Sequence, residues 1–188
     1  MKSLETVYMG LTLRNPIVVS SSGLTKSTEK IKQLEDKGAG AVVLKSLFEE
    51  QINYEVGDLV QYNNYPEAED YIKSYSRSHS VEQYLTLIAD AKKAVDIPVI
   101  ASINCITPTD WTEFARKMEK AGADAIELNI NIIPTGKLKK SIEYEEKYFE
   151  IINAVSEKVS IPVAVKIGYH FTNLMQFTEM AAASGADG

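Results

Sequence analysis

The feature that most constrains this chain is a succession of short, β-branched apolar runs separated by amphipathic stretches. The runs are Ile17-Val18-Val19, Ala41-Val42-Val43-Leu44, Pro98-Val99-Ile100-Ala101-Ser102-Ile103, Ala125-Ile126-Glu127-Leu128-Asn129-Ile130 and Pro162-Val163-Ala164-Val165-Lys166-Ile167. Most lack the in/out alternation of a half-exposed strand, which is how strands read when both faces are buried, as in a parallel sheet. Between them the pattern changes to that of helices. One is expected from Asp110, with Glu113 at capping-box spacing. It carries Trp111, Phe114, Ala115 and Met118 on one face. Another is expected from near Ser80 with Gln83, carrying Val81, Tyr84, Leu85, Ile88 and Ala91, and others from about Thr28, Glu143 and Asn173. Five βα pairs in strict order mean an α/β fold, either a barrel or a doubly wound sheet.

Internal repetition favours the barrel. Lys37-Gly38-Ala39-Gly40-Ala41 precedes the second run and Ala121-Gly122-Ala123-Asp124-Ala125 the fourth. Ile97-Pro98-Val99 opens the third run and Ile161-Pro162-Val163 the fifth. The repeating unit is two βα pairs, with a glycine ending each helix because a C-terminal cap needs positive φ. Ser184-Gly185-Ala186-Asp187-Gly188 carries the same helix-ending signal at the end of the sequence. The expected architecture is a TIM (β/α)8-type barrel of which residues 1–188 hold the first five βα units as one partial domain. The alternative for 184–188 is a flexible tail.

Composition narrows the function. At 45% hydrophobic residues the chain has apolar mass for one core. The net charge is -6 and no Lys/Arg-rich run occurs, which argues against nucleic acid and anionic membrane surfaces as partners. One cysteine, Cys105, excludes an internal disulfide framework and suggests a reducing compartment. Glu5 interrupts any signal-type run, and no stretch approaches the roughly 20 apolar residues of a membrane helix. A soluble, cytoplasmic protein is the expectation.

Chemistry-bearing residues gather at the ends of the runs. Lys45 ends the second, and Lys166 lies inside the fifth. Lysine is rarely buried without a partner, so each either snorkels to the rim, pairs with Glu127, or serves a site at the C-terminal face where barrel enzymes place catalytic groups. Asn104, Asn129 and Asn131 also lie at strand ends, where an amide offers a planar ring both a donor and an acceptor. Ser20, Ser21 and Ser22 end the first run. Residues 47–79 form a candidate lid, a long βα insertion holding Tyr54, Tyr62, Tyr65, Tyr71 and Tyr75 among many acids. His79 and His170 fall where loops are expected to cross the active face and are candidate acids or bases. No metal-ligand spacing, Walker loop or dinucleotide fingerprint occurs. These residues alone reach a barrel enzyme with a lysine- and asparagine-lined site for a planar or anionic ligand. They leave open a lyase or isomerase using Lys166, and a non-catalytic half-barrel that self-associates.

Taken together, the residues resemble the dihydroorotate dehydrogenase family, in its soluble class-1 form. The matching pieces are Gly10-Leu11-Thr12-Leu13-Arg14-Asn15-Pro16 leading to Ser20-Ser21-Ser22, Val43-Leu44-Lys45-Ser46, Ser102-Ile103-Asn104, Glu127-Leu128-Asn129-Ile130 and Val165-Lys166. The resemblance implies an FMN-dependent oxidoreductase of pyrimidine metabolism, acting on a CH–CH bond and assembled as a homodimer. It implies that Ser21 touches the flavin, that Lys45 lies by ring and substrate, and that Asn104 and Asn129 line the site. It puts Lys166 near the N1/O2 edge of the ring, where a cation tunes the cofactor. The chain also departs from the family pattern. The fourth-strand motif of the family continues past Glu-Leu-Asn through an apolar residue and Ser to a Cys or Ser, and that cysteine is the proton-abstracting base of the class-1 enzymes. Here Ile132 takes that position and has no group to accept a proton. The Asn-Ser-Met-Gly-Leu-Pro-Asn substrate loop is replaced by the Tyr- and acid-rich insertion. The family barrel has about eight strands, with the FMN phosphate held by loops after the last of them.

Overall fold

Burial on both faces dictates a parallel arrangement, and the computed structural model has it. It describes residues 3–49, 66–105, 108–134 and 140–188, with the side chains of 66–78 and of 108 outside that description. Five parallel strands lie in sequential order: β3 (Val18–Val19), β4 (Ala41–Val43), β6 (Val99–Asn104), β7 (Ala125–Asn129) and β8 (Val163–Lys166). Val42 stands opposite Val99, Ser102 opposite Glu127, and Asn129 opposite Lys166. The short β5 (Leu47–Phe48) resumes the path of β4 after a break and pairs with Ile103 and Asn104 of β6. The helices are α1 (Thr28–Asp36), α2 (Pro66–Ala94), α3 (Pro108–Lys120), α4 (Ser141–Ser156) and α5 (Leu174–Ala183). The sheet is the front part of a (β/α) barrel.

The two faces of the sheet carry different cores. Val42, Leu44, Val99, Ala101, Ile103, Ile126, Leu128 and Val163 pack against the helices, with Ile31, Ile88, Trp111, Phe114 and Ile152 among their partners. The opposite face has a smaller cluster of Val43, Ile100, Ala125 and Ala164, closed by Met9. Met9 arrives on an antiparallel hairpin, β1 (Thr6–Tyr8) and β2 (Leu11–Leu13), which the strand-run reading did not anticipate. Its two-residue turn, Met9-Gly10, has φ of 51 and 75 degrees, the both-positive geometry that suits a tight hairpin.

The two-pair repeat is built from the same contacts each time. Gly38, Gly122 and Gly185 end their helices at φ near 100 degrees (101, 100 and 106). Glu35 in α1 accepts from the backbone N–H groups of Asp96 and Ile97, just before β6. Glu119 in α3 accepts from the N–H and hydroxyl of Ser160, just before β8. Asp124 accepts from the Val99 N–H at 2.7 Å, and Asp187 accepts from the Val163 N–H at 2.9 Å. Near the first strand Asn15 takes this role, accepting from the Ile17 N–H, while Gly40 lies too close to the Asn15 carbonyl for any side chain. At the end of the sequence the Val165 N–H donates to the Gly188 carbonyl at 2.9 Å. Residues 187–188 therefore lie along β8 as Asp124 and Ala125 lie along β6, which replaces the flexible-tail alternative.

One boundary differs from the sequence reading. The helix expected from near Ser80 starts at Pro66. Its first half lacks an apolar stripe, so periodicity does not reveal it, yet Pro66 suits the first helical position and the acids at 67, 69 and 70 suit the first turns. Of the 47–79 excursion, only 47–49 and 66–79 are described, as a short strand and as helix. The lid expectation for 50–65 lies outside the described residues. Among the described residues, no helix is long and apolar enough to cross a membrane.

Candidate functional site

On the face away from the helices, inward-pointing residues recur every second position. Above the apolar layer of Val43, Ile100 and Ala125, register aligns Ser102 with Glu127, and above these it aligns Asn129 with Lys166. Phe48 stands opposite Asn104, and the Lys45 ammonium lies 5.7 Å from the Phe48 ring centre. Lys45, Asn104, Asn129 and Lys166 thus share one face at the C-terminal edge of the sheet. The Asn104 amide donates to the Asn129 carbonyl at 2.7 Å, tying the tops of β6 and β7 together.

A chain of hydrogen bonds crosses this face. Ser21 and Ser46 hydroxyls lie 3.1 Å apart, and the Ser46 N–H donates to the Ser21 Oγ at 2.9 Å. Ser46 and Ser102 hydroxyls are 2.7 Å apart. Ser102 donates to Glu127 Oε1 at 2.8 Å, and the Lys166 ammonium donates to the same oxygen at 2.7 Å. The Glu127 side chain is 13% exposed and that of Lys166 is 41% exposed. The carboxylate is thus held inside while the lysine side chain stays partly open to solvent. Of the two roles that sequence left to Lys166 short of a site, pairing with Glu127 is realised.

Two tyrosines support this region. Tyr84 on α2 fills the gap where β4 breaks before β5. Its hydroxyl accepts from the Ser102 N–H at 2.9 Å and donates to the Ser102 carbonyl at 3.0 Å. Burial pushes that hydroxyl well above its ordinary value of 10.0, and the charge of Glu127 adds to the rise. Tyr8 of the hairpin borders, with Met9, Ser20, Ile100 and Glu127, a cavity of about 450 Å³ on the same face. Its hydroxyl is also raised, first by burial and then by Glu127.

The histidines fall elsewhere. His79 is exposed within α2, its Nε2 at 2.8 Å from the Gln83 amide, so it is a helix residue and not the loop residue expected. His170 is in a loop, exposed, with its ring 4.4 Å from that of Tyr169. It borders a second cavity of about 150 Å³ with Ile132, Ser141, Tyr144 and Glu145, and the Ile132 N–H donates to the Tyr148 hydroxyl. Sequence reasoning missed Ser46 and Ser102 and treated Glu127 only as a partner. The signal was present: Ser102 precedes Asn104, and Glu127 precedes Asn129, by the two positions that keep a strand residue on one face.

A partial parallel barrel with a charged and amide-lined C-terminal edge places these groups on the face where barrel proteins build their sites. Comparison with solved structures agrees at the level of fold. A phosphonopyruvate hydrolase matches with TM-score 0.58 and 17% identity over 92% of this chain and 56% of its own. A dihydrodipicolinate synthase from Bacillus anthracis matches with TM-score 0.51 and 17% identity over 79% and 44%. The family itself comes from sequence: the dihydroorotate dehydrogenase profile matches residues 3–188, and the chain belongs to that family. Among curated relatives, the dihydroorotate dehydrogenase B (NAD(+)) catalytic subunit of Thermoplasma volcanium is 29% identical over 99% of this chain and 61% of its own length. That of Methanocella arvoryzae is 30% identical over 95% and 58%. The chain spans about three fifths of the relatives it matches.

Proposed function

We propose that this chain forms the first five βα units of an FMN-dependent oxidoreductase that acts on a CH–CH bond of a dihydropyrimidine-like substrate. Residues 1–188 are one partial barrel domain in this reading, and the candidate lid role of 47–79 rests on its sequence, 50–65 lying outside the described residues. The observation that carries the proposal is the Ser21–Ser46–Ser102–Glu127–Lys166 chain, which supports a cation beside two strand-end amides. That donor set suits a flavin ring, a flat heterocycle edged with donors and acceptors. Ser21, Lys45, Asn104, Asn129 and Lys166 would hold it, and bound FMN would take the two electrons of the CH–CH bond. Lys166 keeps a positive charge at the site, and Asn104 and Asn129 orient what lies between the strand ends. Glu127 fixes the Lys166 ammonium at the strand end, a placement that suits a stationary cation beside a ring. Ile132 at the family's base position argues that dihydroorotate is not the preferred substrate. A homodimer is the assembly this family reading suggests, and a small molecule is its partner.

The experiment is flavin titration of the purified protein, followed by turnover of dihydroorotate and other dihydropyrimidines. FMN binding to residues 1–188 is expected to be weak, because the family holds the FMN phosphate with loops after strands beyond these five, and Lys166→Ala should weaken it about tenfold or more through loss of a charged contact. Absence of FMN binding overturns the cofactor assignment. Robust dihydroorotate turnover overturns the argument from Ile132.

A further inference from the structure

Each serine hydroxyl has one proton to give, and an ionised carboxylate has none. Counting protons along the chain therefore fixes its direction. Glu127 only accepts, so the Ser102 proton is spent on Glu127 Oε1. The 2.7 Å contact between Ser46 and Ser102 then needs the Ser46 proton. The contact between Ser21 and Ser46 needs the Ser21 proton in turn. All three hydroxyls point one way, toward Glu127, and Lys166 meets them there from the other side. The Ser46 N–H takes one lone pair of Ser21, so Ser21 faces a ligand as an acceptor, whereas Lys166 faces it as a donor.

We propose that Ser46 and Ser102 are positioning residues of the site: they orient Glu127, and through it they hold the Lys166 ammonium in place. This rests on the flavin reading for its purpose, since Ser21 and Lys166 are the two ends assigned to the ring, but not for its test. Ser102 is fully buried and Ser46 nearly so, 6% exposed, so neither has bulk water to replace a lost partner. Their separation in sequence excludes a local capping role: Ser46 and Ser102 lie 56 residues apart, and Glu127 and Lys166 lie 39 apart. Removing the Ser102 hydroxyl removes the bond that orients Glu127, so the carboxylate is free to turn away from Lys166 toward the cavity it borders, and the ammonium loses its charged contact.

The test is competitive acylation of lysines in the ligand-free protein, read by mass spectrometry, with exposed Lys158 as internal reference. In Ser102→Ala, Lys166 should label about tenfold faster relative to Lys158, the scale of one hydrogen bond to a charged group. Ser102→Thr, which keeps the hydroxyl, should restore the wild-type ratio. Ser46→Ala, one link further out, should give a smaller increase in the same direction. Unchanged Lys166 labelling in folded Ser102→Ala overturns the proposal, and so does equal labelling in the Ala and Thr variants. Should Ser102→Ala fail to fold by circular dichroism, Ser46→Ala decides, and an unmoved ratio there is equally fatal. FMN titration of the same proteins separates the two ideas. No flavin binding with a responsive Lys166 removes the cofactor reading and keeps the positioning role; flavin binding with an unmoved Lys166 does the reverse.

Discussion

Replacing Tyr84 by Phe removes one oxygen from a place where two backbone groups depend on it. The Ser102 N–H and carbonyl have that hydroxyl as partner at 2.9 and 3.0 Å, and Ser102 is wholly buried. Each orphaned group costs about 1–3 kcal/mol. The variant no longer has to desolvate a hydroxyl, which offsets about 1–2 kcal/mol. The gap is smaller than the roughly 30 Å³ share of a water molecule, so solvent does not restore the bonds. The phenyl ring keeps its packing against the sheet. The net loss is therefore about 2 kcal/mol, a large part of a typical stability of about 5–15 kcal/mol. Urea unfolding followed by circular dichroism should show the midpoint falling by about 1 M with an unchanged slope, given slopes of about 1–3 kcal/mol/M. A midpoint within about 0.2 M of wild type would refute the claim that Tyr84 substitutes for a missing strand partner.

Other outcomes follow from the same contacts. Absorbance at 295 nm should show Tyr8 and Tyr84 ionising later than free tyrosine, and Tyr84→Phe should remove one late-titrating group. The sign follows from linkage: a raised folded value means the contribution is intact below the ordinary 10.0 and is lost as pH rises through the folded value. Glu119 runs the other way. Bonds from the Ser160 hydroxyl and N–H hold its carboxyl below the ordinary 4.5, so its contribution is present above that value and lost as pH falls through the depressed one. Glu119→Gln should flatten the acid limb of a stability–pH curve measured by urea midpoints, and an unchanged limb would count against the contact. Burial pushes the Glu35 carboxyl up, but bonds from Lys32, Asp96 and Ile97 outweigh it and hold it below its ordinary value, so Glu35→Gln should act in the same direction. Asp124→Ala strips the cap from the buried Val99 N–H and the partner from Lys92, and should cost about 1–3 kcal/mol in the same assay. A loss below about 0.5 kcal/mol would show that water replaces the carboxylate.

The parallel order of strands was legible because it leaves a local trace. A strand buried on both faces must be apolar and β-branched along its length, and a helix that ends in left-handed geometry must show a glycine. The duplicated glycine–alanine segments, the five units and the lysines and asparagines at strand ends all come from such local demands. The hairpin that closes the apolar layer leaves a trace too, in Met9-Gly10, but one too short to stand out from a loop. The first half of α2 left almost none, because a helix without an apolar stripe has no period to detect.

The site's internal wiring depended on the tertiary structure alone. Ser21, Ser46, Ser102, Glu127 and Lys166 are separated by 25, 56, 25 and 39 residues in turn, and no local pattern relates them. They meet because parallel register sets Ser102 opposite Glu127 and Asn129 opposite Lys166. The break between β4 and β5 brings Ser46 alongside Ser102, and Tyr84 satisfies the backbone that the break exposes. A hydrogen bond is made or lost within a few tenths of an ångström. Residue type determines which groups are able to bond; only the packed sheet sets those distances and, through them, the direction in which every proton of the chain points.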